Sequence, residues 1–365
     1  MSQLPLRYVV LANLLQYWGE QRSELLAALC IAAGVFDLQN QEYKSSFVAL
    51  SGISSEKLDK IVALGKQAMD DNSPRRKKQH LVSQVLLRNF GSVKMKNTKV
   101  LIYLLEKRTT NYTSSSKVAA VNNLVAIDSE ATENLWSCSE QSMKGILQKI
   151  DLREPKISDA DIKTIKQFVV LHVIRSLEVF EKSQELWSTV IESVPEQMSS
   201  LNWNWSEIFF DKHHLHPPDD SFARNDFIAS LVDSLNNLRS SGVLFRLRIA
   251  DLFQQASLYA ETMELKLYYV PCNSEFLIGD SPAIQIDRNG LKHGITEGVP
   301  LANSENIVLP LSPKCTAMIS KDGGTATISH DYVECFNKLQ INNARHSIVL
   351  PSDNLVPLIE QERFR

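Results

Sequence analysis

Three polar side chains follow one another at four-residue spacing: His80, Gln84 and Arg88. In a helix over residues 79–90, at about 100 degrees per residue, they fall within one narrow stripe. The other side of that helix is apolar, with Leu81, Val82, Val85, Leu86 and Phe90. A histidine there can act as a general base or acid, and an arginine can stabilise phosphate charge. A surface helix whose polar stripe faces water has the same pattern, so both interpretations stay open.

Two glutamates, Glu133 and Glu140, lie seven residues apart in a segment, 130–150, with helical periodicity. Seven residues make nearly two turns, so both carboxylates face one side, roughly 10 Å apart along the axis. Together they could bind a divalent metal such as Mg²⁺ with help from elsewhere, or divide acid and base roles. A solvated helix face is the alternative, because glutamate is normally exposed.

Arg175 and Asp280 are two further candidates. Arg175 follows the apolar helical rhythm of 168–173, where a guanidinium must pair with a phosphate or with a carboxylate such as Glu178 or Glu140. Asp280 ends an apolar strand and directly precedes a Ser-Pro step. That position suits a metal ligand or general base, and equally an Asx-type turn.

Composition narrows the class of protein. The net charge of -3 over 365 residues gives no bulk attraction to nucleic acid or membrane. The five cysteines are scattered without a C-x-x-C pair, as expected for reduced thiols in the cytoplasm. No signal peptide or membrane span is evident, and the P-loop, G-x-G-x-x-G, G-x-S-x-G and H-E-x-x-H motifs are absent. We therefore expect a cytoplasmic protein without membrane contact.

The chain is helical first and strand-like later. Helices are predicted over 1–72, 130–150, 226–239 and 331–345, and one long helix is predicted from residue 158 to about residue 194. Strands are predicted at 100–105, 264–270, 276–286, 307–319, 325–328 and 348–350. Segment 108–117 is expected as a polar connection and segment 199–223 as irregular. This order predicts an α+β fold: a helix-rich N-terminal half and a mixed or antiparallel sheet formed mainly by the C-terminal third. The predicted divisions are an N-terminal helical extension (1–74), a core (75–350) and a C-terminal tail (351–365).

The segment 77–90 resembles the H-Y-V-P-Q-x-Y-L-R-x-F signature of the bacterial domain of unknown function 4238 family. The matching residues are His80, Val82, Gln84, Leu87, Arg88 and Phe90. Ser83 replaces the usual proline, which would start a helix, so Ser83 is expected as the N-cap and His80 at the helix entry.

Further pieces of the family pattern follow in order to about Leu350. They are Val121-Asn122-Asn123-Leu124-Val125, Glu133 and Glu140, Arg175-Ser176, Phe276 to Pro282, Leu309-Pro310-Leu311-Ser312-Pro313, and finally Asn337 and Arg345. The resemblance implies no established reaction. It implies only that related proteins occur in bacteria and phage satellites, some as single-gene anti-phage systems.

The resemblance implies a setting in anti-phage defence, and within it we expect a toxic effector of an abortive-infection response that is triggered by a phage protein. The residue types favour metal-assisted cleavage of nucleic acid. His80, Glu133, Glu140 and Asp280 would be catalytic, and the three carboxylates would hold the metal. The substrate would contact Gln84, Arg88, Arg175, Asn337 and Arg345. Two alternatives stay open: an enzyme that depletes a nucleotide or other small metabolite, and a non-catalytic sensor or interaction protein of a defence system.

Overall fold

A computed structural model describes residues 44–45, 47–49, 52, 54–56, 58–59, 78–91, 98–122, 129–153, 157–199, 204–240, 243–286 and 304–364. The chain forms two compact units from interleaved segments. The first unit contains 1–76, 125–130 and 182–249; the second contains 77–124, 131–181 and 250–365. The expected divisions at 1–74, 75–350 and 351–365 stay a prediction, because these two units are built from interleaved segments and not from consecutive ones.

Helices occupy much of the middle of the chain. Their bounds are α1 (Gln84–Asn89), α2 (Ser129–Asp151), α3 (Asp159–Ile174), α4 (Leu177–Ser199), α5 (Trp205–His213), α6 (Asp220–Ser240), α7 (Val243–Glu261), α8 (His330–Asn343) and α9 (Val356–Phe364). None of the helices in the described ranges combines the length and the apolar character that crossing a membrane requires.

The strands are β1 (Lys78–His80), β2 (Lys99–Leu104), β3 (Thr109–Ser114), β4 (Ala120–Asn122), β5 (Glu264–Tyr269), β6 (Ile278–Gly279), β7 (Ile284–Ile286), β8 (Asn306–Ser312), β9 (Cys315–Ser320), β10 (Gly324–Thr327) and β11 (Ser347–Leu350). They form a two-stranded sheet (β1-β4), a five-stranded sheet (β10-β5-β9-β8-β7) and a four-stranded sheet (β3-β2-β11-β6). Only the β10–β5 pair is parallel among these ladders. The predicted α+β class is therefore confirmed, and so is the concentration of strands in the C-terminal third.

The long helix predicted from residue 158 is broken in the middle. It starts as expected, with a capping box between Ser158 and Asp161. It ends at Arg175, whose φ and ψ of -83° and 9° leave the helical region. The Ser176 hydroxyl then accepts the Val179 N–H and starts α4. The Arg-Ser step of the family pattern thus marks a helix break and not a helix interior.

The end of the chain carries structure of its own. Residues 356–364, expected as part of a tail, form α9, and Ile359 is fully buried in the second unit. It packs in one cluster with Leu101, Tyr103, Leu277 and Ile348. This cluster holds the four-stranded sheet against α8 and α9, the elements that position several of the matched residues.

Candidate functional site

His80, Gln84 and Arg88 form a continuous hydrogen-bonded relay. Arg88 Nη2 donates to Gln84 Oε1 at 2.9 Å, and the Gln84 amide nitrogen lies 3.0 Å from His80 Nε2. His80 lies at the end of strand β1, while Gln84 and Arg88 lie on α1. The helix expected over 79–90 is therefore wrong before Gln84, and the expected position of His80 at the helix entry is confirmed.

The contact with Gln84 indicates which nitrogen of the His80 ring accepts a hydrogen bond. Because the Gln84 amide nitrogen can only donate, His80 Nε2 accepts and the ring proton lies on Nδ1, 3.4 Å from Val118 O. Arg88 is exposed at the other end of the relay. The relay thus connects a half-buried imidazole to a guanidinium at the surface.

Ser83 is the N-cap residue of α1, as expected, but its side chain does not cap. Its hydroxyl is buried without a hydrogen-bond partner. Its backbone N–H donates instead to Nε2 of the buried His172, at 3.2 Å, and His172 Nδ1 donates to Phe168 O at 2.8 Å. Burial, with a smaller contribution from Arg175, lowers the His172 pKa to about 3, so this imidazole is neutral and structural.

Arg175 and Glu140 pair with each other. The guanidinium is almost completely buried and donates to Glu140 Oε1 at 2.7 Å, while its carbon lies 4.9 Å from the centre of the Trp136 ring. This is one of the two bridges that the sequence suggested for Arg175. Glu133 lies on the same helix as Glu140, but its side chain is outside the described part of the chain.

Asp280 holds a turn. The carboxylate is buried and accepts three backbone N–H groups: Arg345 on one oxygen at 2.8 Å, and His346 and Ser347 on the other at 2.7 and 3.0 Å. These donors form the turn between α8 and β11. The Arg345 guanidinium points elsewhere and pairs with Glu181 at 2.6 Å.

Asn337 also bonds to the backbone. Its side-chain oxygen accepts the Leu277 N–H and its side-chain nitrogen donates to Glu275 O. The side chain thus pairs with this backbone segment in the way that a neighbouring strand would. Two other amides of α8 continue the row, Gln340 with Gly279 N and Pro282 O, and Asn343 with Ser281 O. Gly279 permits this close approach, because a Cβ there would lie 3.0 Å from Gln340 O. Sequence reasoning missed Gln340 and Asn343, although their spacing from Asn337 places all three on one helix face.

The predicted metal site of Glu133, Glu140 and Asp280 stays a prediction, because the Glu133 side chain lies outside the part of the chain that the structure describes. Within the described part, no three His, Cys, Asp or Glu side chains lie close enough to hold an ion. Glu140 is engaged by Arg175, and Asp280 by the 345–347 turn. The contribution of Glu133 stays a prediction.

A depression of about 330 Å³ lies in the second unit where two family-like pieces meet. Asn89 and Phe90 come from the end of the signature segment, and Ser312 and Pro313 from the Leu-Pro-Leu-Ser-Pro piece. The Asn89 amide joins the two pieces directly by donating to Leu311 O at 2.9 Å. The rest of the lining consists of Gly91, Asp151, Glu275, Lys314 and Pro351.

Asp151 is the unusual group of this depression. Burial of its carboxyl raises the Asp151 pKa, although hydrogen bonds from Ser312 and Asn89 act in the opposite direction. A larger depression, of about 630 Å³, lies elsewhere in the unit beside Tyr103, Arg108 and Val356, and its lining includes none of the matched residues. Of these two depressions, the Asp151 depression is therefore the one that the family-like pieces build.

The model of one family matches residues 78–354 of this sequence. Its description is "Protein of unknown function (DUF4238)". The chain belongs to the DUF4238 family. No curated protein and no solved structure shows detectable similarity to the chain.

Within this DUF4238 protein the candidate residues separate into distinct places. His80, Gln84 and Arg88 are together, and Glu140 and Arg175 are together. Asp280, Asn337 and Arg345 surround one stretch of backbone. Asp151 was missed, because a single aspartate near the end of a helix carries no signal in the sequence.

Proposed function

We propose that this DUF4238 protein acts in the cytoplasm, in anti-phage defence, as a non-catalytic sensor or interaction protein. The setting rests on the family resemblance. The choice of a non-catalytic role rests on one observation: the matched residues Asp280, Asn337 and Arg175 use their functional groups to bind their own chain.

The engagement of Asp280 argues most strongly against metal chemistry at these residues. Both of its oxygens accept backbone N–H groups, and one accepts two. A Mg²⁺ ion needs near-octahedral oxygen ligands, so it would compete with the bonds that hold the turn. A buried Arg175 that pairs with Glu140 is likewise directed at a carboxylate of its own unit and not at a phosphate in solvent.

The test compares the protection of bacteria against phage with the cleavage of nucleic acid by the purified chain. Bacteria that express the full chain are challenged with a phage panel, and the purified chain is incubated with cellular RNA and DNA, with and without Mg²⁺. We expect reduced plaque formation without cleavage of either nucleic acid and without loss of nucleotide pools. Cleavage that disappears in a normally folded His80→Gln variant would overturn the non-catalytic role, and unchanged plaque counts on every phage would overturn the defence role.

We propose nucleic-acid cleavage as the second candidate, because the relay specifically favours it. Arg88 is exposed and connected through Gln84 to an imidazole with an accepting nitrogen. A phosphate bound at Arg88 would compete for the guanidinium that orients Gln84, so that binding at the surface would change the hydrogen bond that Gln84 makes to His80, the candidate general base or acid. On this proposal Arg88→Gln abolishes cleavage in a chain of unchanged stability, whereas Lys107→Gln, an exposed charge change outside the relay, leaves cleavage intact.

A further inference from the structure

We propose that the free edge of strand β3 binds an extended segment of a polypeptide partner that is acidic at both of its ends. The segment would add one strand to the four-stranded sheet of the second unit, next to Thr109–Ser114. The inference does not depend on the defence role or on the relay at His80. It rests on the backbone groups that this edge leaves without partners, on the cations at its two ends and on the depression beside it.

Strand β3 is an outer strand that pairs only with β2 among the strands that the structure describes. The pairing covers six residues in an unbroken register, and the Tyr112 side chain in the middle of β3 is 54% exposed. The other described strands that end a sheet are shorter, with two to four residues. Edge strands are usually protected from pairing by lysine, proline or a bulge, and Thr109–Ser114 has none of these. The β3 edge is therefore open to a further strand.

The pairing with β2 determines which backbone groups of β3 face outward. Ser115 N donates to Thr98 O, and in an antiparallel ladder every second residue forms such bonds. The N–H and C=O groups of Thr110, Tyr112 and Ser114 therefore point away from β2. No hydrogen bond to another described residue occupies these backbone groups. An added strand would satisfy both the donors and the acceptors, whereas a nucleic-acid phosphate, which only accepts, would leave the carbonyl groups without a partner.

Exposed cations lie at both ends of the β3 edge. Lys107 and Arg108 directly precede β3, Lys117 follows it, and Lys99 begins β2 at the same end of the hairpin as Lys117. None of these four side chains forms an ion pair with another residue in the described ranges. The Arg108 guanidinium lies over the Phe364 ring, with its carbon 3.9 Å from the ring centre, which restrains its position. Because β3 itself is uncharged, the edge is complementary to a segment that is uncharged in its middle and acidic at both ends.

The same charges argue against a second copy of this chain as the occupant. Two β3 edges related by a twofold axis pair in an antiparallel way, so Lys107 and Arg108 of one copy would lie beside Lys117 of the other. Like charges on adjacent strands repel each other. The exposed carboxylates of Glu106 and Asp353 lie near the Arg108 end and offset only part of the positive charge.

The larger depression, of about 630 Å³, lies beside β3 on the side of α9. Thr110 is opposite Tyr103 of β2 in the register, so both side chains are on the face of the sheet that packs against α9. Val356 and Pro357, at the start of α9, also line the depression. Every second side chain of an added strand would point towards it, which adds selection among side chains to the backbone pairing.

The experiment measures peptide binding to the full chain by fluorescence anisotropy. The probe is a dye-labelled peptide of alternating threonine and valine with two glutamates at each end, and the matched peptide has lysines in place of the glutamates. We expect saturable binding of the acidic peptide that weakens as salt is added, and at least about tenfold weaker binding of the lysine peptide. No saturable binding of the acidic peptide, or equal binding of the two peptides, would overturn the proposal.

Two variants at Tyr112 test the backbone contact. Tyr112→Pro removes an outward N–H that the pairing with β2 does not use, so it should weaken binding of the acidic peptide at least about tenfold. Tyr112→Thr removes the same ring and keeps the N–H, so it should bind like the parent chain. An equal loss in both variants would assign the contact to the ring and would contradict the addition of a strand. Thermal unfolding of both variants excludes a loss of fold.

A charge variant tests the ends of the edge without a change in β3. The double variant Arg108→Gln, Lys117→Gln should bind the acidic peptide less tightly and lose most of the salt dependence. This variant also covers the case in which Tyr112→Pro does not fold. Unchanged affinity and unchanged salt dependence in the double variant would overturn the assignment of the acidic ends to these two cations.

Hydrogen exchange locates the bound strand. In the free chain the amides of Thr110, Tyr112 and Ser114 should exchange faster than those of residues 109, 111 and 113, and the acidic peptide should protect the three outward amides. Protection of these amides without peptide, together with a concentration-dependent dimer in sedimentation, would identify a second copy as the occupant and overturn the proposal. Tighter binding of a single-stranded DNA oligonucleotide that Tyr112→Pro does not affect would overturn it in favour of nucleic acid.

Discussion

Replacement of Asp280 by alanine tests whether this residue holds the fold or performs chemistry. The carboxylate accepts the backbone N–H groups of Arg345, His346 and Ser347. The bond to Ser347 is buried, so its loss leaves a donor without an acceptor at a cost of about 1–3 kcal/mol. The other two donors are partly buried and can turn to water, so each costs about 0.5–1.5 kcal/mol.

The expected loss of stability for Asp280→Ala is therefore about 2–6 kcal/mol. This is a large fraction of the free energy of unfolding of a typical protein, roughly 5–15 kcal/mol. Asp280→Asn keeps one acceptor oxygen and should lose less, about 1–2 kcal/mol. Urea unfolding gives the overall change. Hydrogen exchange of the backbone amides at 345–347 reports the turn itself, which should lose protection in both variants.

The control is Asp322→Ala, which changes an exposed aspartate in the same unit and should stay within about 0.5 kcal/mol of the parent. On the proposed defence role, protection against phage should fall with the folded fraction of Asp280→Ala and return at lower temperature. A variant with a loss below about 1 kcal/mol, unchanged exchange at 345–347 and no protection would refute the structural role and restore Asp280 as a catalytic candidate.

Three further changes test the described contacts. Ser83 has a φ of -61°, which suits proline, but Ser83→Pro removes the N–H group that donates to His172. This loss should lower the free energy of unfolding in urea by about 1–3 kcal/mol. Ser83→Ala removes only a hydroxyl without a hydrogen-bond partner among the described residues, so it should change stability little. The His172 pKa is lowered to about 3 from 6.5, so the stability that neutral His172 contributes is present above pH 6.5. It is lost as the pH falls towards 3, at up to about 1.4 kcal/mol per pH unit. In unfolding experiments between about pH 7 and 4, the His172→Gln variant should lack this loss. Lys149, and also Ser158, lowers the Asp161 pKa, so the stabilisation by this carboxylate is present above its unfolded-state pKa and is lost as the pH falls through the lowered value. Asp161→Asn should lower the free energy of unfolding by about 1 kcal/mol at pH 7. The difference between this variant and the parent chain should vanish in stronger acid.

The sequence predicted those strands that carry a regular apolar pattern. β5 alternates buried and partly exposed residues, and β2 is an apolar run, so both were found. β3 was interpreted as a polar connection, because its residues Thr-Thr-Asn-Tyr-Thr-Ser are exposed or half-exposed throughout. Its place in the sheet comes from pairing with β2, which no local pattern can reveal.

Helices without a clear signal were also missed. Residues 199–223 were interpreted as irregular, yet Trp205–His213 is a helix whose N-cap, Asn204, accepts the Glu207 N–H. The polar and aromatic mixture around it resembles a loop when it is considered alone. Val243–Glu261 was not predicted at all. At Trp205–His213 the cap by Asn204 supports a helix for which the periodicity gave no signal.

For the candidate site, the sequence indicated which residues to examine but not what they do. The relay could be derived in part, because four-residue spacing on a helix places Gln84 beside Arg88. The partner of Asp280 could not, since the 345–347 turn lies more than 60 residues away in sequence. Asp151 could not be found either, since it lines a depression whose other residues come from segments far away in sequence.

The matched residues of the C-terminal third are best explained by the needs of the backbone. Strand β6 has only two residues and pairs with β11 along one edge. The backbone just before and just after β6 therefore needs hydrogen-bond partners other than a neighbouring strand. Buried N–H and C=O groups must find partners, and α8 supplies them through Asn337 and Gln340. Asp280, directly after β6, in turn accepts hydrogen bonds from the backbone N–H groups that follow α8. Such reciprocal pairing requires specific polar side chains at fixed positions without any substrate, so a family pattern rich in Asn, Asp and Arg can describe a fold as readily as an active site.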